Sequence, residues 1–252
     1  MDRVYRIEIE EQEQFVLERD GAWHTLDGDL FGDYRPGDAL DPGGLPLLSP
    51  VRPSKVVAIG LNYRDHAKEM GKALPSEPLM FLKPPSAVIG PESAIVIPPG
   101  AGRVDVEAEV GIVIGRTARN VRAAEARGYV LGLTCVNDVT DRDLQKRDVQ
   151  YTRAKGFDTF APIGPAVAVG LDGSALAIGS TVNGVTRQAS STREMIFPLD
   201  YLVEFVTGVM TLLPGDVIAT GTPPGVGPVA PGDRVVITVE GVGELANDVV
   251  AG

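Results

Sequence analysis

Acidic residues occupy every second position in the segment from Val104 to Val110. This alternation predicts a β-strand in which Asp105, Glu107 and Glu109 lie on one face. Carboxylates held this close repel one another unless water or a cation lies among them. Hard divalent cations such as Mg²⁺ prefer oxygen ligands. The spacing therefore indicates a metal site, and the alternative interpretation is a strand face open to solvent.

A further acidic group, Asp138, follows directly on the apolar run from Leu131 to Val136. A loop at the end of a buried strand can carry polar groups to a site built on a rigid sheet, which places Asp138 as a third metal ligand. Arg142 offers a fork of donors for a carboxylate, and Gln145 is three residues further on, where it can donate beside it. The alternative is a capped helix start with surface charges.

Two other segments contain groups that can bind an anion. Lys155 lies between Ala154 and Gly156, and small neighbours allow a lysine to approach a bound anion closely. The loop from Thr220 to Pro228 is rich in Gly and Pro and follows a predicted strand, so its backbone N–H groups can point at an anion. The alternatives are a solvent-exposed lysine and an ordinary turn.

His66 and Glu69 are three residues apart on a short predicted helix. At this spacing the carboxylate can hold the imidazole and raise its basicity, so the pair has the form of a general-base dyad. The alternative is a chance pairing without a catalytic role.

The composition of the chain excludes several classes of function. The 252 residues carry a net charge of −11, and 44% of them are hydrophobic, which describes a globular protein. The negative charge argues against nucleic acid or an anionic membrane as the main partner. The polar start of the chain predicts no signal peptide, no apolar run predicts a membrane helix, and the lone Cys135 has no disulfide partner. We therefore expect a cytoplasmic protein.

The predicted elements are mostly strands. In the N-terminal part they are Val4–Ile9 and Phe15–Glu18, with a turn at Asp20-Gly21. Further strands are predicted at 55–60, 94–97, 109–114, 129–136, 165–169, 217–220 and 234–240, and a hairpin with a type I′ turn at 181–186. Helices are predicted at 64–72, at 121–127 and around an apolar stripe from 199 to 206. No βαβ alternation and no nucleotide-binding glycine motif is present, so we predict an α+β, β-rich fold with packed sheets.

The composition changes near residue 54. Residues 26–54 contain many glycines and prolines and are interpreted as a linker that packs over the main domain. We therefore predict two units: residues 1–54, a small N-terminal β-meander and linker, and residues 55–252, the catalytic domain.

Taken together, these motifs resemble the fumarylacetoacetate hydrolase family. The resemblance covers residues 55 to about 250 in order. The motifs that match are Gly60-Leu61-Asn62-Tyr63 before His66 and Glu69, Phe81-Leu82-Lys83-Pro84, Glu107-x-Glu109, Asn137-Asp138-Val139-Thr140 with Arg142 to Gln145, Lys155-Gly156-Phe157-Asp158 and Thr220-Gly221-Thr222-Pro223. It implies a mixed β-sandwich roll that forms a homodimer. It further implies Mg²⁺ or Mn²⁺ as cofactor, bound by Glu107, Glu109 and Asp138.

The resemblance also assigns roles to other residues. Lys155 matches the catalytic lysine of the family, and His66 with Glu69 matches its water-activating dyad on a segment that closes over substrate. The predicted substrate contacts are Arg142, Gln145, Thr222 and Lys83.

Two departures from the family pattern point to its smaller members. Asp141 stands where the family more often has Ala, and residues 1–54 are shorter than the large N-terminal domain of the animal tyrosine-degradation enzyme. The smaller members include acylpyruvate hydrolases, oxaloacetate decarboxylases and the isomerases or decarboxylases of homoprotocatechuate breakdown.

The expected substrate is a small anionic 2-oxo acid, which chelates the metal and loses a C–C bond through a metal-stabilised enolate. Hydrolysis, decarboxylation and isomerisation all remain open, including action on 2-hydroxyhepta-2,4-diene-1,7-dioate in aromatic catabolism. Two non-enzymatic alternatives also remain: a β-sandwich module that binds Ca²⁺ through the acidic strand, and a scaffold protein without activity.

Overall fold

The computed structural model describes all 252 residues, and strands are its most common regular element. The strands are β1 Asp2–Ile9, β2 Gln12–Arg19, β3 Ala22–Gly28, β4 Tyr34–Ala39, β5 Leu47–Leu48, β6 Val56–Gly60, β7 Leu79–Lys83, β8 Val88–Ile89, β9 Ile95–Ile97, β10 Val104–Val106, β11 Ala108–Ile114, β12 Val130–Asn137, β13 Thr140–Asp141, β14 Ala161–Val169, β15 Ala177–Val182, β16 Val185–Ser191, β17 Val217–Ala219, β18 Gly227–Pro228, β19 Arg234–Val239 and β20 Gly243–Ala251. The helices are α1 Arg64–Glu69, α2 Arg142–Arg147, α3 Thr152–Lys155 and α4 Leu199–Val209, with 3₁₀ turns at Pro85–Ala87, Ala123–Tyr129 and Thr192–Glu194. None of these helices has the length and apolar character needed to cross a membrane.

The strands form three sheets, of which the two larger ones contain both parallel and antiparallel pairs and the smallest is antiparallel. The largest has the order β4-β3-β2-β1-β14-β12-β11-β17-β6-β7, with β5 and β8 attached to β1 and β14. A five-stranded sheet has the order β16-β15-β19-β20-β9, and a three-stranded sheet has the order β13-β10-β18. Most neighbours are antiparallel, whereas β17 and β6 run parallel. The predicted α+β, β-rich fold is confirmed.

The main core lies where strands of the large and five-stranded sheets and α4 meet. Val110, Ile112 and Leu133 from the large sheet belong to the same buried set as Ile237 from β19. The apolar stripe predicted for α4 is confirmed, because its residues Leu202, Val203 and Val206 are fully buried in this core. Burial of each such side chain contributes roughly 1.5–3 kcal/mol.

The predicted single strand from Val104 to Val110 is wrong at Glu107. The chain changes sheets there, because β10 belongs to the three-stranded sheet and β11 to the large one. Side-chain amides satisfy the backbone at the break: Asn137 Oδ1 accepts from Glu107 N at 3.2 Å, and Gln188 Oε1 accepts from Ala108 N at 2.9 Å. The interruption therefore leaves neither N–H group unpaired.

Residues 26–54, interpreted as a linker from their glycines and prolines, contain regular strands. β3 continues to Gly28, and β4 and β5 fall within this range. β1 pairs with β14 through Arg3 with Ala168 and Val4 with Val167, so the meander extends the large sheet. The division into units at residue 54 remains a prediction.

The structure confirms the predicted hairpin but differs from two of the predicted helices. The hairpin at 181–186 is confirmed, and Asn183 and Gly184 have φ values of 52° and 76°, as a type I′ turn requires. The segment predicted as a helix at 121–127 is instead a 3₁₀ turn at Ala123–Tyr129, and α1 ends at Glu69 rather than at residue 72.

Candidate metal centre and active site

Three carboxylates meet at the ends of two paired strands, and we call them the acidic triad: Glu107, Glu109 and Asp138. β11 pairs with β12 so that Ala108 lies opposite Asn137, which brings the start of β11 beside the end of β12. One oxygen from each triad carboxylate lies within 4.8 Å of the others. The three residues are 7%, 1% and 1% exposed, so the alternative of a solvated strand face is wrong.

Two buried lysines hold the carboxylate of Asp138. Lys155 Nζ contacts Asp138 Oδ2 at 2.5 Å, Glu107 Oε2 at 2.9 Å and Thr140 Oγ1 at 2.7 Å. Lys83 Nζ donates to Asp138 Oδ1 and to the carbonyl of Val139. Lys83 is fully buried and Lys155 is 3% exposed, so the alternative of a solvent-exposed lysine is wrong. Both ammonium groups therefore lie directly beside the acidic triad.

Arg142 joins the same network at the start of α2. Its guanidinium pairs with Glu107 Oε1 and donates to Asp105 Oδ2 at 2.8 Å. It also donates to Gln145 Oε1 at 2.9 Å, so this amide oxygen accepts a bond where we expected Gln145 to donate beside Arg142. Asp105 is bound by Arg103 and Arg142 and lies outside the triad, which corrects the expectation of three carboxylates on one face.

The charges around the triad shift the pKa values of its two glutamates in opposite directions. Burial would raise the pKa of Glu107, but the positive charges of Lys155 and Arg142 outweigh it and lower this pKa to about 2. Burial raises the pKa of Glu109 well above its usual range, and the negative charges of Asp138 and Glu107 raise it further. Glu107 is therefore a compensated anion, whereas Glu109 is not.

Glu109 is the strongest sign that a cation fits here. No lysine or arginine forms an ion pair with its carboxylate, which receives a hydrogen bond from Gly221 N at 2.8 Å. A buried carboxylate without a cationic partner is costly, and two more carboxylates lie next to it. Three hard oxygen donors at this separation could hold a divalent metal ion.

The His66–Glu69 dyad forms on α1. His66 Nδ1 lies 2.9 Å from Glu69 Oε2, and Glu69 Oε1 accepts from Gly225 N at 3.1 Å. The loop that supplies Gly225 also supplies Gly221, whose N–H donates to Glu109. One loop therefore contacts both the dyad and the acidic triad, and its N–H groups bind carboxylates of this chain.

Thr222 has a structural partner that the sequence did not reveal. Its hydroxyl donates to the carbonyl of Ala108 at 2.8 Å and accepts from Gln188 Nε2 at 2.8 Å. Gln188 is 1% exposed and also contacts Ser180 and Pro223. It lies on a hairpin between exposed residues, and no local pattern distinguished it from them.

Three polar residues of the recognised motifs also have clear roles that were not predicted. Asn137 supports the backbone at Glu107, and Thr140 is the third partner of Lys155. Asn62 Nδ2 donates to the carbonyls of Phe197 and Thr220, which ties the segment before α1 to the loop after β17. Their burial between strand ends is the physical signal, and it becomes visible only in three dimensions.

Comparison with known proteins agrees with this geometry. The chain is 44% identical to 5-carboxymethyl-2-hydroxymuconate delta-isomerase from Mycobacterium smegmatis, with a TM-score of 0.92 over 99% of this chain and 100% of that one. It is 29% identical to maleylpyruvate hydrolase from Sphingobium sp. SYK-6, solved with manganese(II) and pyruvate, with a TM-score of 0.81 over 99% of each chain. It is also 41% identical to the mitochondrial oxaloacetate tautomerase Fahd2a of Rattus norvegicus, over 81% of this chain and 69% of that protein.

A family profile described as fumarylacetoacetate (FAA) hydrolase C-terminal matches residues 55–250, the part of the chain that holds the acidic triad, both lysines and the dyad. The chain therefore belongs to the fumarylacetoacetate hydrolase family.

Proposed function

We propose that this chain is a divalent-metal-dependent enzyme that cleaves a C–C bond of 2-oxo acids, in the manner of an acylpyruvate hydrolase or oxaloacetate decarboxylase. The buried acidic triad with its uncompensated Glu109 is the single observation that carries the proposal. A Ca²⁺-binding module would not need Lys155 beside the ligands or a base dyad nearby.

Different residues of this chain would have different roles in such a reaction. Bound Mg²⁺ or Mn²⁺ would supply a Lewis acid for the carboxylate and 2-oxo oxygen of the substrate. Burial would lower the pKa of Lys155, but Asp138 and Glu107 outweigh it and raise this pKa, so the ammonium stays charged. Lys155 and Arg142 therefore place fixed positive charge where negative charge develops on the substrate.

His66 is the proposed base for hydrolysis. Its ring nitrogen Nδ1 contacts Glu69, which leaves Nε2 to take a proton from water. Glu69 holds the ring and is itself held by Gly225 N, so the orientation of the imidazole depends on the loop that also contacts Glu109.

A second candidate reaction is isomerisation or tautomerisation of a 2-oxo or 2-hydroxydienoic diacid. The names of two relatives, a delta-isomerase and an oxaloacetate tautomerase, favour it. It needs the same charge stabilisation and a group that moves a proton between carbon and oxygen, and it breaks no C–C bond. The manganese and pyruvate found with maleylpyruvate hydrolase favour the first reaction.

The test is a panel of acetylpyruvate, oxaloacetate and 2-hydroxyhepta-2,4-diene-1,7-dioate, assayed with Mg²⁺ or Mn²⁺ and again after EDTA. We expect metal-dependent turnover that Glu107→Ala, Glu109→Ala and Asp138→Ala each abolish while the fold survives, because each removes one ligand. Glu125→Ala, at an exposed acidic residue outside the site, is the control and should behave as wild type. Activity retained by any two of the three variants at micromolar metal would contradict the assignment.

A further inference from the structure

A cavity lies away from the acidic triad, between the N-terminal meander and the segment before β17. Its volume is about 270 Å³, and its lining consists of Arg6, Glu13, Gln14, Phe15, Phe31, Val51, Arg52, Pro214 and Gly215. Except for Pro214 and Gly215, these residues lie before residue 55, outside the range that the family profile matches. None of them belongs to the site described above.

Arg6 is the unusual residue of this cavity. It is 8% exposed, yet its Nε is buried without a hydrogen-bond acceptor in the protein. The nearest carboxylate oxygen, Glu13 Oε2, lies 3.6 Å from that nitrogen, beyond hydrogen-bond distance. Glu13 instead pairs closely with Arg52. Arg6 therefore has an ion-pair partner in Glu13, but its buried Nε has no hydrogen-bond acceptor, and a buried donor without an acceptor is costly.

The charged residues that line the cavity indicate the charge of a suitable ligand. Arg6 and Arg52 contribute two positive charges, and Glu13 contributes one negative charge. The lining itself therefore has an excess of one positive charge, which a monoanion would balance, and the exposed Glu8 outside the lining also acts on Arg6. A carboxylate is well suited to Arg6, because its two oxygens match the planar fork of a guanidinium.

The apolar residues that line the cavity indicate the shape of the uncharged part of a ligand. Phe15 and Phe31 are half-buried and line the cavity with buried Val51 and with Pro214. Phe31 also packs against the apolar sets that contain Leu17 and Val51, so this wall is held in place. Two phenyl rings beside an arginine favour a flat apolar group attached to the anion.

From these contacts we propose that the cavity binds a small aromatic monocarboxylate, with Arg6 as the principal anion-binding residue and Arg52 as the second. Because Arg6 is on β1 and Pro214 precedes β17, the ligand would bridge the N-terminal meander and the matched family domain.

The test is calorimetric titration of the full chain with benzoate, together with its effect on the melting temperature. Benzoate should bind and raise the melting temperature, whereas acetate, which lacks the ring, and benzyl alcohol, which lacks the charge, should bind at least about tenfold more weakly. Arg6→Leu should weaken benzoate binding by at least about tenfold, since a charged hydrogen bond is lost. Arg35→Leu, at an arginine whose side chain is 81% exposed, is the matched control and should bind as wild type.

Two further variants keep the proposal falsifiable if Arg6→Leu does not fold. Arg52→Gln should weaken benzoate binding, and Glu13→Gln should strengthen it, because the competing carboxylate is gone. The proposal is overturned if wild type does not bind benzoate at millimolar concentration, if acetate binds as well as benzoate, or if Arg6→Leu or Arg52→Gln binds benzoate as wild type does. None of these outcomes depends on metal or turnover, so they are independent of the proposed enzymatic function.

Discussion

Replacing Glu109 with Gln should stabilise the metal-free protein, whereas the same change at Glu107 should destabilise it. The two residues are two positions apart and both are buried, but only Glu107 has cationic partners, Lys155 and Arg142. Gln has nearly the same shape as Glu and can still accept the hydrogen bond from Gly221 N. The opposite signs therefore follow from charge compensation alone.

The magnitude comes from proton linkage. A difference of one pKa unit between folded and unfolded states corresponds to about 1.4 kcal/mol. Glu109 has its folded pKa raised from 4.5, so its stabilising contribution is complete below pH 4.5 and is lost as pH rises towards the folded pKa. At pH 7 the loss is at most about 3 kcal/mol by this measure, because about 2.5 pH units separate 4.5 from neutrality. Glu109→Gln should recover about 1–3 kcal/mol of it.

The sign is reversed for Glu107. Its folded pKa is lowered from 4.5 to about 2, so its contribution is present above pH 4.5 and is lost as pH falls through about 2. The shift corresponds to about 3 kcal/mol, and Glu107→Gln should cost this amount at pH 7 while leaving Lys155 and Arg142 without a partner.

The assay is urea unfolding in EDTA at several pH values from 5 to 8, followed by the fluorescence of the single Trp23. Added Mg²⁺ or Mn²⁺ should then stabilise wild type by mass action and stabilise both variants less. If Glu109→Gln destabilised the metal-free protein as much as Glu107→Gln, or if its effect did not grow with pH, the charge reasoning would be wrong.

Three other predictions concern the dyad, a buried aspartate and a glycine. His66→Ala should lower acetylpyruvate hydrolysis by about 10²- to 10⁴-fold and oxaloacetate decarboxylation by less, as rate assays at matched Mg²⁺ will show, because only hydrolysis needs a base for water. Asp216→Asn should lower the free energy of unfolding by about 2–3 kcal/mol, because Asp216 is fully buried and accepts bonds from Ser54, Lys55 and Leu213. Gly221→Ala should lower both the melting temperature and the metal affinity, since φ is +95° and a Cβ would lie 2.7 Å from that of Asn62.

Each of these predictions has its own control. Equal losses of both rates in His66→Ala would show that His66 maintains the site rather than acting as the base. The pKa of Asp216 is lowered, because bonds from Leu213, Lys55 and Ser54 outweigh its burial, so the cost of Asp216→Asn should disappear as pH falls below 3.8. An unchanged cost in acid would contradict this. Gly232→Ala, with φ of +97° and open space around it, should cost less than Gly221→Ala and leave metal affinity unchanged.

The acidic triad could be predicted because each of its residues is marked by its immediate neighbours in the sequence. Glu107 and Glu109 show the spacing of a strand, and Asp138 follows an apolar run that is visible in the chain. The sequence also predicted the hairpin at Asn183-Gly184, where two residues decide the turn. These features depend on neighbours in the chain, and the family resemblance covered the same residues.

The parts that were missed depend on distant partners. The change of sheet at Glu107 is stabilised by Asn137 and Gln188, which are 30 and 80 positions from the N–H groups that they bind. Asp105 carries the same charge as the triad residues, and its pairing with Arg142 becomes visible only when α2 has been placed. The 3₁₀ turn at Ala123–Tyr129 has residues suited to an α-helix, so local propensity alone gave the wrong geometry.

The pairing of β1 with β14 has a consequence for folding during synthesis. β1 to β4 can form hairpins as soon as about 40 residues have emerged, but the other edge of β1 is completed only by residues 161–169. β5 covers this edge at Arg6 and Ile7, but until β14 is made the edge stays unpaired at Arg3 and Val4, and unpaired edges are surfaces on which nascent chains aggregate. Arg3 lies at this edge, and a charge on an exposed edge opposes association between chains. We expect the meander to form early and the completed sheet to be the late, rate-limiting event of folding.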